Sequence, residues 1–182
     1  MKNVFLEGKR IYLRPLEEKD LKGNYVSWLN DEQVNKYNSH HVFPYSLEEG
    51  LDYIKKSQKD KNILVLAIVT KQGDMHIGNI SLQKIDYINR SAEFAILIGE
   101  KKYWHKGYSK EASSLVLLHG FKTLGLSRIY CGTSSKNFSM QKLALSLRMT
   151  LEGRRRKALF RNGQLVDILE YGILVGEFKN SR

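Results

Sequence analysis

The stretch EKKYWHKGYSKEA, residues 100–112, sets four lysines and a histidine around Gly107 and then passes into an apolar run. At the mouth of a helix the first amides have no partner inside it, and the helix dipole adds partial positive charge there. Gly107 lets the chain bend and lets an anion approach with no Cβ in the way. The amides around His105, Lys106, Tyr108 and Ser109 become donors, and Lys106 and Lys110 add field. The chemistry this spacing suits is the holding of a pyrophosphate. The same residues also make an ordinary strand-to-helix turn with solvated lysines. Neither GxxxxGK[ST] nor GxGxxG occurs, which excludes a P-loop and a dinucleotide fingerprint.

The charge balance points the same way. Lys and Arg outnumber Asp and Glu by 30 to 19, a formal +11, which favours anionic partners over cationic ones or simply gives a basic, solvated surface. A second concentration lies between Lys142 and Arg161, with Arg148, Arg154, Arg155, Arg156 and Lys157, against the single acid Glu152. Cys131 is alone, so no internal disulfide forms, and no cysteine pair or other cluster has metal-ligand spacing. No apolar run approaches the roughly 20 residues of a membrane span. The N-terminus lacks the apolar core of a secretory signal. A cytoplasmic protein with no membrane partner is expected.

The elements that would carry these residues fit one domain over 1–182. RIYLRPL alternates like a strand and runs into Leu21, Tyr25, Trp28 and Leu29 at helical spacing. Ser46 and Glu49 form a capping-box pair ahead of a second helix. NILVLAIVT, HIGNISLQKID and SAEFAILIG read as antiparallel strands joined by short turns. The segment from Gly107 to Leu126 reads as a helix, SRIYCGTS as a strand, and NFSMQKLALSL as a short helix. Asn162-Gly163 marks a closing hairpin. The layout is α+β, or mixed α/β.

The segment RSAEFAILIGEKKYWHKGYSKEASSLVLLHGFKTLGLSRIYCGTSSKN closely resembles the acetyl-CoA motif of the GNAT acyltransferases. It is most similar to the branch holding ribosomal-protein alanine, spermidine and amino-sugar N-acetyltransferases. The family's Q/R-x-x-G-x-G/A loop matches Trp104-His105-Lys106-Gly107-Tyr108-Ser109, with an aromatic first residue and Ser at the last position. The resemblance implies a splayed, mostly antiparallel sheet flanked by helices, with acetyl-CoA as cosubstrate. The strand ending in Ile96, Leu97 and Ile98 would pair with the pantetheine arm, the loop would hold the pyrophosphate, and Asn137 would contact the arm near the thioester.

The resemblance also implies direct transfer to an amine, which must lose its proton while the carbonyl oxygen gains charge. Glu93 matches the glutamate that orients or deprotonates the amine in this branch; alternation alone would point it to solvent or into an ion pair. The amide of Leu97 or Ile98 would face the oxyanion. The tyrosine that many relatives place seven residues after the asparagine, as thiol acid, is Ala144 here. Ser139 is the candidate for that role, or else a helix N-cap. A thiol of pKa about 8.5 leaves adequately without an acid. Acceptor contacts fall to Trp28, His40 and His41 in WLNDEQVNKYNSHHVFPYS, a stretch similar to that of amino-sugar-nucleotide acetylating members; the histidines also suit a merely exposed loop. The partner is then a small-molecule amine, with a nucleotide-linked one favoured by charge. Polyamines, the N-terminus of a ribosomal protein and, remotely, a nucleic-acid-binding role are the alternatives, and a homodimer is allowed.

Overall fold

The computed structural model describes residues 3–38 and 40–178. Its elements run β1 (Leu6–Glu7), β2 (Ile11–Pro15), α1 (Glu18–Leu21), α2 (Tyr25–Leu29), α3 (Leu47–Lys59), β3 (Leu64–Thr70), β4 (His76–Asp86) and β5 (Ser91–Ile98). A short 3-10 turn (Lys101–Tyr103) leads to α4 (Tyr108–Lys122), β6 (Arg128–Ser134), α5 (Phe138–Ser146), β7 (Thr150–Arg161) and β8 (Gln164–Leu174). The strands form an eight-stranded sheet in the order β1-β2-β3-β4-β5-β6-β8-β7.

Every neighbouring pair is antiparallel except β5 and β6. Those two run parallel because α4 carries the chain back between them, and they touch only at Ser91–Arg128, Ala92–Ile129 and Glu93–Tyr130. β5 stays paired to β4 as far as Ile98. Beyond Glu93, therefore, the edge of β5 that faces β6 has no strand beside it among the described residues. This is the splay that the resemblance implied.

Two apolar cores lie on opposite faces. On one, α4 buries Ala112, Val116, Leu117 and Phe121 against Leu82, Phe94, Ile129 and Cys131. Each large side chain there contributes roughly 1.5–3 kcal/mol by leaving water. On the other, α1, α2 and α3 cover Tyr12, Val65, Ala67 and Val69, with Leu97 at the margin. The helical stretch read ahead of Trp28 is broken into two short helices at Lys22-Gly23-Asn24. The capping box on α3 forms, Glu49 N–H donating to Ser46 Oγ at 3.1 Å and Ser46 N–H to Glu49 Oε2 at 2.8 Å.

Gly99 ends β5 flush against the Trp28 indole. A Cβ at that position would lie 2.0 Å from the ring, so only hydrogen fits. Asn24 Nδ2 and Trp28 Nε1 both donate to Glu100 Oε1, at 2.7 and 3.2 Å, and Lys101 pairs with Asp31 at 2.8 Å. The helices on the second face are thus fastened to the turn that follows β5.

Candidate active site

The loop around Gly107 is built at that turn. Gly107 caps α4 with φ +81°, a left-handed conformation open to glycine, and His105 also has positive φ (+58°). The Glu111 N–H makes the first bond inside the helix, to the Gly107 carbonyl at 3.2 Å. The amides left without helical partners are those of Tyr108, Ser109 and Lys110. His105 and Lys106 precede the helix and are exposed, so the donor set sits slightly later in the chain than the sequence pattern suggests. Trp104 faces the strand, its indole N–H donating to the Ile98 carbonyl at 2.7 Å.

A residue the sequence reading missed completes this corner. Arg10, just ahead of β2, donates from Nη1 to the Lys106 carbonyl at 3.0 Å and pairs through Nε with Glu111 Oε2 at 2.9 Å. Its guanidinium lies over the Tyr108 ring, 4.5 Å from the centroid, and Nη2 is 3.3 Å from where a Gly107 Cβ would be. Burial works to raise the Glu111 pKa, but hydrogen bonds from the Arg10 amide and guanidinium outweigh it and hold the carboxyl below its ordinary value. Only its place at the strand mouth in GKRIY could have drawn attention to Arg10, and 96 residues separate it from Lys106.

The open edge of β5 has a definite phase. Gly99 N–H donates to the Ile77 carbonyl at 2.9 Å, and Gly78 lies opposite Ile98. Bonded and non-bonded pairs alternate along an antiparallel ladder, so Leu97 turns its peptide groups to β4 while Ile96 and Ile98 turn theirs into the splay. The Trp104–Ile98 bond agrees with that phase. Of the three residues expected to line the gap, two do so with their backbone, and Leu97 is corrected to a position facing β4.

Glu93 lies where β5 and β6 part, on the face away from α4, since Ala92 and Phe94 fill that core. Its Oε2 accepts from Lys84 Nζ at 2.7 Å. The ion pair that alternation allowed for is therefore present, and it occupies the carboxylate proposed for catalysis. The hydrogen bond that Lys84 donates to Glu93 raises the Lys84 pKa, Tyr130 adding to the effect and Arg155 opposing it. Beside this pair the same face carries Arg128 bonded to Glu152, and Arg155 bonded to Glu170 at 2.8 Å.

Asn137 is the N-cap of α5, its Oδ1 accepting from the Met140 N–H at 3.2 Å. That leaves Nδ2 to donate elsewhere. The cap being Asn137, Ser139 is not one; it is exposed in the first turn of α5. Ala144, in place of the tyrosine, is fully buried. Cys131 is 1% exposed, and burial pushes its thiol up to about 12, which makes it inert.

Trp28 is corrected: it is 5% exposed, held edge-on to His76 at 4.9 Å and against Gly99, and so supports the site from beneath instead of touching an acceptor. His40 and His41 line a shallow cavity of about 150 Å³ with Leu29, Phe43, Tyr45 and Glu49. Arg161, at the tip of the β7–β8 hairpin, reaches that loop through Nη2 to the Asn38 carbonyl at 2.5 Å. The loop and the hairpin thus meet through this bond.

Residues 10–150 match the family model described as an acetyltransferase (GNAT) domain. The chain belongs to the GNAT acetyltransferases. It is 29% identical over 157 residues to the spermidine N(1)-acetyltransferase of Escherichia coli K12, covering 85% of this chain and 80% of that one. It is 27% identical over 172 residues to the uncharacterized N-acetyltransferase YoaA of Bacillus subtilis, covering 93% and 96%. The crystal structure of spermidine N-acetyltransferase from Vibrio cholerae in complex with CoA and spermine superposes with a TM-score of 0.84 at 26% identity, covering 92% of this chain and 97% of that one. Among the described residues no helix is long and apolar enough to cross a membrane.

As a GNAT enzyme the chain uses acetyl-CoA, and the residues present fit it. A left-handed glycine opens the helix mouth, cations flank it, and a one-sided strand edge leads from it to Glu93. Arg10 acts as a positioning residue for the loop. Arg10→Ala is expected to raise the KM for acetyl-CoA about tenfold, the worth of one charge-assisted hydrogen bond, with kcat at saturation little changed. Initial rates at varied acetyl-CoA check this, and an equal fall in kcat would place Arg10 elsewhere in the mechanism.

Proposed function

We propose that this acetyl-CoA-dependent N-acetyltransferase acts on a primary amine that carries negative charge, with a nucleotide-linked amino sugar as the favoured acceptor. One observation carries the reading. On the face beside the splay the described carboxylates of β5, β7 and β8 each already hold a cation: Glu93 with Lys84, Glu152 with Arg128, Glu170 with Arg155. A polycation would have to displace these, in the field of a chain of formal charge +11, whereas a diphosphate is drawn to it. Arg156 and Lys157 on β7 add to that field.

Acetyl-CoA supplies the activated acetyl group as a thioester. Glu93 accepts the proton of the amine, directly or through a water. The Ile96 and Ile98 amides, which face the splay, donate to the carbonyl oxygen as charge develops on it. Asn137 steadies the pantetheine arm through Nδ2. With Ala144 in the tyrosine's place, the thiolate leaves unassisted or takes a proton from Ser139 or solvent.

A polyamine acceptor is the second reading, favoured by relatives named for spermidine. Acetylation of a ribosomal protein N-terminus has narrower support, from a putative ribosomal N-acetyltransferase of Bacillus subtilis that is 28% identical over 105 residues. The test is thiol release from acetyl-CoA across nucleotide-linked amino sugars, Ala- and Ser-starting peptides, polyamines and aminoglycosides. Turnover restricted to the first class supports the proposal. Faster turnover of spermidine overturns it in favour of the second reading.

A further inference from the structure

Lys84 reaches Glu93 because β4 breaks its own alternation. In an unbroken strand residues 80, 82 and 84 would all face α4, as Ile80 and Leu82 do, and a lysine would be buried among them. Instead the ladder to β5 shifts register between Gln83 and Asp86, and Lys84 adopts φ +50°. Ile85 takes the core position, 5% exposed. Lys84 is swung out onto the opposite face, where a bulge beside a functional site serves to re-aim a side chain. Its side chain is 74% exposed, yet Nζ is fixed 2.7 Å from Glu93 Oε2.

If Glu93 is the group that takes a proton from the acceptor, as proposed above, a primary amine of the chain itself already occupies the acceptor's seat. We propose that Lys84 is an internal acceptor, so that with acetyl-CoA bound and no other amine present the chain acetylates its own Lys84. The Lys84 ammonium passes one proton to the Glu93 carboxylate. The neutral Nζ then attacks the thioester carbonyl carbon, the C–N bond forms, the C–S bond breaks, and the nitrogen loses a second proton to solvent. The CoA thiolate takes up one proton. Lysine ammonium and acetyl-CoA thus become N-acetyl-lysine, CoA thiol and one released proton, with no further reactant. The product is a neutral amide that cannot pair with Glu93, so one modification frees the carboxylate. Because Glu93 raises the Lys84 pKa, the proton is held firmly and the reaction is slow beside acceptor turnover.

The experiment incubates the full chain with acetyl-CoA and no acceptor, following thiol release and mapping acetylated lysines by peptide mass. A burst stoichiometric with the chain is expected, with Lys84 modified at least about tenfold faster than Lys71 and Lys101, a modest demand on proximity. Those two lysines are also ion-paired and partly exposed, so they report the background reaction. Lys84→Arg should remove the burst, and Glu93→Gln should bring Lys84 down to the background rate. Equal rates at the three lysines, or a Lys84 rate indifferent to Glu93→Gln, overturn the inference. If panel acceptors turn over while Lys84 stays unmodified, the internal acceptor is refuted and the proposed function stands. If Lys84 alone is acetylated, in a manner dependent on Glu93, the inference holds and the acceptor reading falls.

Discussion

Glu93→Gln is expected to lower kcat for amine acetylation about a hundredfold at neutral pH, the lower range of what a positioned base supplies. The KM for acetyl-CoA should stay where it was, because Glu93 lies outside the β5 edge and α4 mouth proposed to hold the cofactor. The deficit should narrow in alkali, where an alkylammonium of pKa about 10.4 begins to shed its proton unaided. Steady-state rates from neutral to alkaline pH, with whichever acceptor turns over, decide the matter. A hundredfold loss that stays constant with pH assigns Glu93 to orienting the amine, and an unchanged kcat removes it from the mechanism.

The largest effect on stability is expected at Asp20. Arg14, 6% exposed, grips Asp20, 5% exposed, through Nη1 to Oδ2 at 2.8 Å and Nη2 to Oδ1 at 2.6 Å. The Glu17 amide donates to the same carboxylate at 2.9 Å, and His76 Nδ1 lies 3.4 Å from it. Asp20→Ala leaves a buried guanidinium unpaired and should cost about 3–5 kcal/mol, read from denaturant midpoints. Replacing Arg14 by Met in the same chain should recover much of that loss. Burial works to raise the Asp20 pKa, but the hydrogen bonds from Arg14 and His76 outweigh it and hold the carboxyl well below its ordinary value. A depressed carboxyl stabilises the fold above its unfolded pKa and loses that contribution as pH falls toward the folded one. The contribution is therefore whole above about pH 5 and drains away through and below the ordinary aspartate pKa of about 4. A wild-type stability curve no steeper in acid than that of Asp20→Ala contradicts this. Because α1 and α2 form a wall beside Trp28 and the β5 turn, their loosening should also reach the site.

Much of this was legible from the chain, wherever local chemistry and long-range packing agree. The apolar runs of β3 and β5 and the Ser46–Glu49 box are such places. So is the Asn162-Gly163 turn, where both residues have positive φ as a two-residue hairpin demands. The splay was readable only through the resemblance of a long segment, because periodicity says which face a residue takes and not where two strands part. Three features escaped for three separate reasons. Arg10 acts on residues nearly a hundred positions away, and its type is common at a strand mouth. Lys84 sits where the period of two fails, and a bulge has no signature in polar and apolar pattern. Trp28 looked like a ligand contact because a large aromatic suits both a pocket and a core, and Gly99, whose missing side chain makes its seat, lies 71 positions on. The acceptor is the least legible of all. It depends on how the loop near His40 meets the hairpin tip, and that contact joins Arg161 to Asn38 across 123 residues.

The cationic run from Arg154 to Lys157 also has a consequence for how the molecule behaves among its own kind. β7 is the last strand of the sheet, and its outer rim is a row of peptide groups with no neighbouring strand. Such a rim invites a second chain to lengthen the ladder. Here the invitation is withdrawn: an arriving copy of β7 would lay arginine against arginine, and the register shift between Arg155 and Leu159 kinks the rim that it would have to follow. At the far end β1 is only two residues long. Both ends of the sheet thus carry features that disfavour edge-to-edge growth.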